Sequence, residues 1–305
     1  MIEAFTDIDR QLPWLFPAIV ALYGAIIGSF LNVCILRIPE GRSVVSPRSH
    51  CACGKPIAWY DNIPVISWFI LRGKARCCGR PFSFRYPAIE GLTALLFLAC
   101  WLLFPMGKAL CSMLLISALI CATFIDLDRM IIPDIFTIWL AIVGLVLSFA
   151  VPSLHGNAGE FYLLESVRSG LSGIVGMLVG AGLLVWIALA AETILRKEAM
   201  GFGDVKFISA IGAFLGWKGA VAAVFGGALV GTCWFIIAML AKMILGSSKA
   251  PMIKAETSEG QPAELGIGAH VPFGPMLAIA AVIYLFWAHC YIDPYFEQIQ
   301  SLFSV

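Results

Sequence analysis

The sequence predicts an all-α polytopic membrane protein of about eight transmembrane helices, with a small cysteine-containing cytoplasmic insert after the first. Three observations carry that prediction. Of the 305 residues, 60% are hydrophobic and 13% charged, with a mean hydropathy of +0.92, against roughly 45–50% apolar in soluble domains. Apolar runs approaching the ~20 residues that a helix needs to cross about 30 Å of hydrocarbon recur along the whole chain. The segment from Arg37 to Glu90 gathers nine Lys/Arg against three acids, the bias of a cytoplasmic loop. The overall charge of +1 gives no reason to expect nucleic acid as a partner, and no basic stripe interleaved with aromatics is present.

The elements follow in order. Glu3, Asp7 and Asp9 stand against Arg10 at the start, where a secretory signal begins basic, so the first span is expected to stay. Spans are expected near 14–36, 89–106, 109–125, 131–151, 168–191, 205–216, 220–241 and 273–290. With the Arg37–Glu90 segment inside, the N-terminus lies outside. Arg129, then Arg196 with Lys197, then Lys242, Lys249 and Lys254 fall on the cytoplasmic side, while the tail with Asp293 and Glu297 falls outside. One helix running unbroken from Val205 to Lys242 would send the lysines of the 242–254 loop outward, so a turn is expected at Gly216-Trp217-Lys218-Gly219. Residues 246–270 are polar and punctuated by Gly, Pro and Ser, the composition of a mobile loop. The resulting organisation is a first span over 1–37, an insert over 38–90 and a seven-span bundle over 91–305.

Four of the eight aspartates, Asp126, Asp128, Asp134 and Asp204, stand at membrane boundaries on the same side. A carboxylate at mid-membrane costs about 2.5–3.5 kcal/mol, less near the interface, so each should face protein or water. Capping is the competing explanation: it suits Asp128 or Asp134 flanking Pro133 as well as chemistry does, and suits Asp204, which opens the sixth span, less well. The pairing favours chemistry, because Asp126 ends the third span at the interface where Asp204 begins the sixth. Two neighbouring carboxyls share a proton, so one can take a proton from water while the other protonates a carbonyl. That is aspartic-protease chemistry. Gly201 and Gly203 lack Cβ and would let an extended substrate backbone approach Asp204. The short sixth span, about 12 residues or ~18 Å, would leave the site partly wet.

The stretches IDLDRMIIPD at 125–134 and GFGDVK at 201–206, with GSFLNVCILRIP at 28–39, NIPVISWFILRGKARCCG at 62–79, RYPAIE at 85–90 and VPFGP at 271–275, resemble the type IV prepilin peptidases, aspartic intramembrane proteases of the GxGD type. The resemblance covers most of the chain. It implies catalytic roles for Asp126 and Asp204; Gly201, Gly203, Asp128, Asp134 and Lys206 stand beside them as candidate supporting positions. It also implies cleavage of the short basic leader of type IV prepilins or type II secretion pseudopilins after a Gly, at the cytoplasmic face of the bacterial inner membrane; the charge distribution itself puts both termini on the periplasmic side. A second activity is implied for the insert, methylation of the new amino terminus from S-adenosylmethionine, with Glu90, Arg72, Gly73 and Lys74 matching stretches linked to it. No Gly-rich nucleotide loop points to that cofactor independently.

Six cysteines, Cys34, Cys100, Cys111, Cys121, Cys233 and Cys290, fall in or beside apolar runs and read as small buried hydrophobes. Cys51, Cys53, Cys77 and Cys78 lie in the insert, where a cytoplasmic location favours metal over disulfides. Two pairs so placed can build a tetrahedral zinc site. The spacing is C-x-C and C-C, however, where the family and zinc ribbons have C-x-x-C twice; His50 and Ala75 occupy the outer positions. Zinc held by Cys53 and Cys78 with His50, Cys51 or Cys77, a metal-free insert, and a redox cysteine all stay open, and adjacent thiolates such as Cys77 and Cys78 rarely share an ion. The rival to an enzyme is an ion-coupled transporter using the boundary aspartates as a proton relay. Clustering on one face argues against it, because relay acids line the depth of the membrane.

Overall fold

The computed structural model of the protein describes residues 11–51, 53–157, 159, 161–196, 200–245, 255–256, 262–263 and 272–303. Glu3, Asp7, Asp9, Arg10, Lys197, Lys249, Lys254, His270, Val271 and most of the 246–270 loop lie outside the described residues. The chain forms two compact units, Met1–Cys121 and Ala122–Val305. Both are helical. The long helices are α1 (Leu15–Arg37), α2 (Arg85–Leu103), α3 (Met106–Arg129), α4 (Ile138–Ala150), α5 (Tyr162–Leu195), α6 (Phe202–Leu245), α7 (Gly274–Ile283) and α8 (His289–Phe303). Among the described residues, the only strands are the two-residue pair Ala255–Glu256 and Pro262–Ala263.

Six helical stretches are long and apolar enough to cross a membrane, Leu15–Glu40, Arg85–Leu103, Met106–Arg129, Tyr162–Ile194, Phe202–Ala241 and Gly274–Ile299, with a shorter apolar stretch at Asp134–Ala150. The protein is therefore an all-α, multi-pass membrane protein with six such helices among the described residues, where the sequence predicts eight spans. Two places account for the difference. The expected fourth span begins late, because Pro133 is extended and Asp134–Phe136 forms a 3-10 turn before α4 starts at Ile138. The expected sixth and seventh spans make up the single element α6.

Within α6, Gly216 has φ 69° and ψ −177°, which no helix accommodates. Its surroundings define what happens there. A Cβ on Gly180 of α5 would lie 3.2 Å from both the Ile208 carbonyl oxygen and the Ala220 Cβ. In a continuous helix those residues would be about 18 Å apart, so the chain folds back at Gly216 and both arms lie against α5. Only a residue without Cβ reaches that φ at no steric cost. The second arm runs beside α7, where Cβ atoms on Gly227 and Gly231 would approach Leu277 and Met276. Beyond α7, the π-helical turn Tyr284–Ala288 leads into α8. That helix returns to the fold-back: Lys218 Nζ donates to the Glu297 carboxylate at 3.1 Å, and Trp217 meets Phe296 edge-on at 4.9 Å.

Lipid tails are as apolar as leucine, so helices in a membrane associate by close packing of small residues. On α1, Gly24 and Gly28 stand one turn apart, and Cβ atoms there would come within 2.8 Å of the Ala94 Cα and 2.7 Å of the Glu90 Cα of α2. In the second unit Gly176 and Gly212 meet backbone to backbone, each glycine's added Cβ colliding with the other's carbonyl oxygen. Ser148 Oγ of α4 ties in the same region by donating to the Ala213 carbonyl at 2.9 Å.

The substitution Gly212→Val is expected to force α5 and α6 apart and lower stability by about 1–3 kcal/mol, measured by denaturant titration in micelles. The same change at Gly182, which has nothing within 4 Å, serves as the neutral comparison.

Candidate active site and cysteine cluster

Asp126 lies in the last turns of α3, 5% exposed. Its neighbours come from the N-terminal end of α7, whose first two residues are Gly274 and Pro275. The backbone N–H of Gly274, one of the amides with no partner inside its own helix, bonds to the Asp126 carboxyl. A Cβ on Gly274 would fall 2.7 Å from Asp126 Oδ2 and 2.9 Å from Ile132 Cδ1, so the approach requires glycine. Asp126 Oδ2 is buried with no hydrogen-bond partner among the described residues. Leaving a buried polar atom unsatisfied costs about 1–3 kcal/mol and asks for a reason.

Asp204 stands in the first turn of α6, half-buried, with its backbone N–H donating to the Gly201 carbonyl at 3.1 Å. The Asp126 charge acts on it directly, so the two carboxyls that the sequence pairs lie within electrostatic reach. Gly203 faces Ile132, whose Cβ is 3.9 Å from where a Cβ would be, while a Cβ on Gly201 would meet nothing within 4 Å among the described residues. Ile132 thus touches the glycines next to both carboxyls.

The remaining acids of this region are placed differently. Asp134 is exposed and pairs with Lys206 Nζ at 2.9 Å, tying the 3-10 turn before α4 to the first turns of α6. Asp128 is exposed. The sequence reading assigns no role to Gly274 or Ile132. Their only signal is membership of VPFGP and IDLDRMIIPD, since contact between segments so far apart is a tertiary property.

In the first unit, Cys51, Cys53, Cys77 and Cys78 converge, their sulfurs all within 4.8 Å of one another. Cys51 Sγ is 3.5 Å from Cys78 Sγ, and Cys53 Sγ is 3.4 Å from Cys77 Sγ. Local turns explain the convergence. Cys51 and Cys53 flank a turn in which the Gly54 N–H donates to the Cys51 carbonyl and the Cys51 N–H to the Lys55 carbonyl, both at 2.8 Å. Cys77 and Cys78 sit on a second turn closed by Gly79 N–H to Ala75 at 2.8 Å and Ala75 N–H to Arg80 at 2.9 Å. The Cys53 backbone, then the Cys77 and Cys78 thiols, pull the Cys51 thiol down to about 7, and bonding to Cys51 first pushes Cys77 up to about 12. The altered spacing therefore does not scatter the thiols, and the adjacent Cys77 and Cys78 both face the cluster, against expectation. Four sulfurs at this separation suit one tetrahedral ion with metal–sulfur bonds near ~2.3 Å. His50 is not a member; its Nδ1 is 3.2 Å from the Arg48 carbonyl oxygen.

Glu90 is buried in α2, with Oε2 accepting the Val65 N–H at 2.7 Å and the Ser29 hydroxyl also bonded to it. Val65 holds φ 61°, costly for a β-branched residue. Arg72 and Lys74 are exposed, and the buried Gly73 packs on Trp68. The Val65–Glu90 bond secures the insert to α2, while Arg72 and Lys74 stand at its surface.

Comparison with known proteins agrees with the motifs. The family model for the bacterial Peptidase A24 N-terminal domain matches residues 22–104, and that for the type IV leader peptidase family matches residues 113–236. The prepilin leader peptidase/N-methyltransferase of Aeromonas hydrophila is 35% identical over 92% of this chain and 94% of its own length. That of Xanthomonas campestris pv. campestris is 32% identical over 96% and 97%. The type 4 prepilin-like proteins leader peptide-processing enzyme of Escherichia coli is 39% identical over 69% and 81%. No solved structure matches the chain. The transporter alternative has no counterpart among these relatives. With family models matching residues 22–104 and 113–236, and relatives similar along nearly the whole length, the chain belongs to the type IV leader peptidase family.

Proposed function

We propose that the protein is a membrane aspartic endopeptidase that removes the leader peptides of type IV prepilins or type II secretion pseudopilins, with Asp126 and Asp204 as its catalytic pair. The observation that carries the reading is the buried Asp126 Oδ2, which has no partner among the described residues and lies within electrostatic reach of a second carboxyl. Two such groups hold one proton between them at low cost and two charges at high cost. The ionised member takes a proton from water as its oxygen adds to the scissile carbonyl, and the protonated member donates to the carbonyl oxygen. Collapse of the tetrahedral intermediate then breaks the C–N bond, and the proton first taken from water passes to the leaving amine. The glycines at 201, 203 and 274 support the reading by keeping side-chain bulk away from both carboxyls. The Asp134–Lys206 pair supports it as a brace beside Asp204.

In this reading the chain crosses the bacterial inner membrane eight times, the fold-back at Gly216 separating the sixth and seventh crossings. The carboxyls and the insert then face the cytoplasm and both termini the periplasm. Family membership supports N-methyltransferase activity as well. S-adenosylmethionine would supply the methyl group, and Glu90 would act there through its hold on the Val65 backbone of the insert. Cys51, Cys53, Cys77 and Cys78 would hold a structural zinc ion, which would cross-link the two turns of the insert.

The purified protein in detergent is expected to cleave a prepilin, and Asp126→Asn and Asp204→Asn each to lower the rate at least about a hundredfold, followed by the mass of the released product. Full cleavage by either variant removes that residue from the pair. Gly274→Ala is expected to slow cleavage by roughly tenfold to a hundredfold with substrate binding retained, because it displaces the Asp126 carboxyl; rate and KM measured separately make the check. Elemental analysis should find about one zinc per chain. Cys51→Ser and Cys77→Ser should each lose the metal and expose the insert to trypsin while cleavage of prepilin persists.

A further inference from the structure

The short helix Ile66–Ile70 in the insert is inverted. Its buried residue is Ser67, whose hydroxyl donates to the Tyr60 carbonyl at 3.2 Å. Ile66, Phe69 and Ile70, spaced to share one face, are 56%, 59% and 68% exposed. Nearby, Trp59 is 80% exposed, and Phe84, 56% exposed, immediately precedes the first residue of α2. Trp68, held inward by its indole N–H on the Phe82 carbonyl at 3.3 Å, meets both Phe69 and Phe84 edge-on, with centroids 5.2 and 5.1 Å away. The outward apolar face is therefore continuous, ring by ring, with the point where the chain enters a membrane-spanning helix.

Folding in water would place Ile66, Phe69 and Ile70 inward and Ser67 outward. An exposed, contiguous apolar face of this kind marks a surface that something covers. Two facts identify the cover. The insert is tethered at both ends to membrane-spanning helices, α1 before it and α2 after it, so a bilayer surface is always within reach. The Arg37–Glu90 segment carries nine cations against three acids, complementary to an anionic leaflet. Exposed aromatic and aliphatic side chains beside Arg and Lys are the composition of segments that lie in the headgroup–acyl boundary.

We propose that the insert docks on the bilayer: the outward face of Ile66–Ile70, with Trp59 and Phe84, lies in the boundary layer of the leaflet where α1 ends and α2 begins, and the insert's cations bind anionic lipid headgroups. The occupant of the apolar face is lipid. This goes beyond the peptidase reading and does not depend on it, since no residue of the carboxyl pair takes part.

The test uses the wild-type full chain in vesicles of phosphatidylethanolamine and phosphatidylglycerol containing a trace of phospholipid with a diazirine in its acyl chain. After irradiation, adducts are mapped by peptide mass spectrometry. Adducts over residues 59–70 are expected within about threefold of the yield over α2, and at least about tenfold above the yield over the cysteine turn 75–80, which carries no such face. The double variant Phe69→Asp with Ile70→Asp should bring the 59–70 yield down to the level of 75–80 while the α2 yield stays unchanged. Wild-type yields over 59–70 no higher than over 75–80 would overturn the proposal. So would a wild-type chain whose 59–70 face cross-links to a second copy or to added prepilin in place of lipid.

Discussion

A carboxyl group buried at the end of a membrane helix has few ways to be tolerated, and that constraint organises the second unit of this protein. Hydrocarbon offers no water to a polar atom, so the protein must bring polar groups to it. At Asp126 the group brought is the backbone N–H of Gly274, and the absence of a side chain there is what permits the approach. Asp204, in the first turn of α6, lies within electrostatic reach of Asp126, and Ile132 lies close to Gly274 and Gly203. One side chain's need for polar neighbours is thus met where the end of α3 meets the start of α7. The orphaned Oδ2 has its explanation in the proposed chemistry, where its partners are water and substrate.

Such a constellation needs a rigid frame, and in a membrane the frame comes from small residues. Gly24 and Gly28 bring α1 onto α2, and Gly176 and Gly212 bring α5 onto α6 at backbone contact. The fold-back at Gly216 belongs to the same economy of space: it lets two arms of one element lie along α5 and gives α6 a first arm of only about 21 Å. That short arm carries Asp204 in its first turn. The α8 helix then fastens the outside of the fold-back through Lys218 and Trp217.

The insert solves a different problem with different chemistry. Too small to build a large core, it is held by two cysteine turns facing one another, by the Arg76–Asp61 ion pair at 2.8 Å, and by the Val65 amide on Glu90. The strained Val65 backbone and the Glu90 carboxylate sustain each other, which ties the insert to α2 through a group that the sequence alone offers as a cofactor ligand. Its apolar residues face outward because a tethered domain beside a bilayer has a second apolar phase available besides its own interior.

The sequence by itself determined the features that depend on composition and local pattern: a helical membrane protein, a basic cysteine-containing insert after the first helix, a break near Gly216, and the identity of the acids worth pairing. Apolar run length, charge bias and residue type carry those directly. Tertiary structure decided what local pattern does not encode. It gave Asp126 its neighbour Gly274, separated Asp134 into an ion pair with Lys206, and delayed α4 behind the Pro133 turn. It also drew four thiols together despite a spacing that argued against it, since turns closed by Gly54 and Gly79 set where the sulfurs point. The Asp126–Gly274, Asp134–Lys206 and Cys51/Cys53–Cys77/Cys78 contacts join segments distant in the chain, and contacts of that kind exist only once packing has chosen which faces meet.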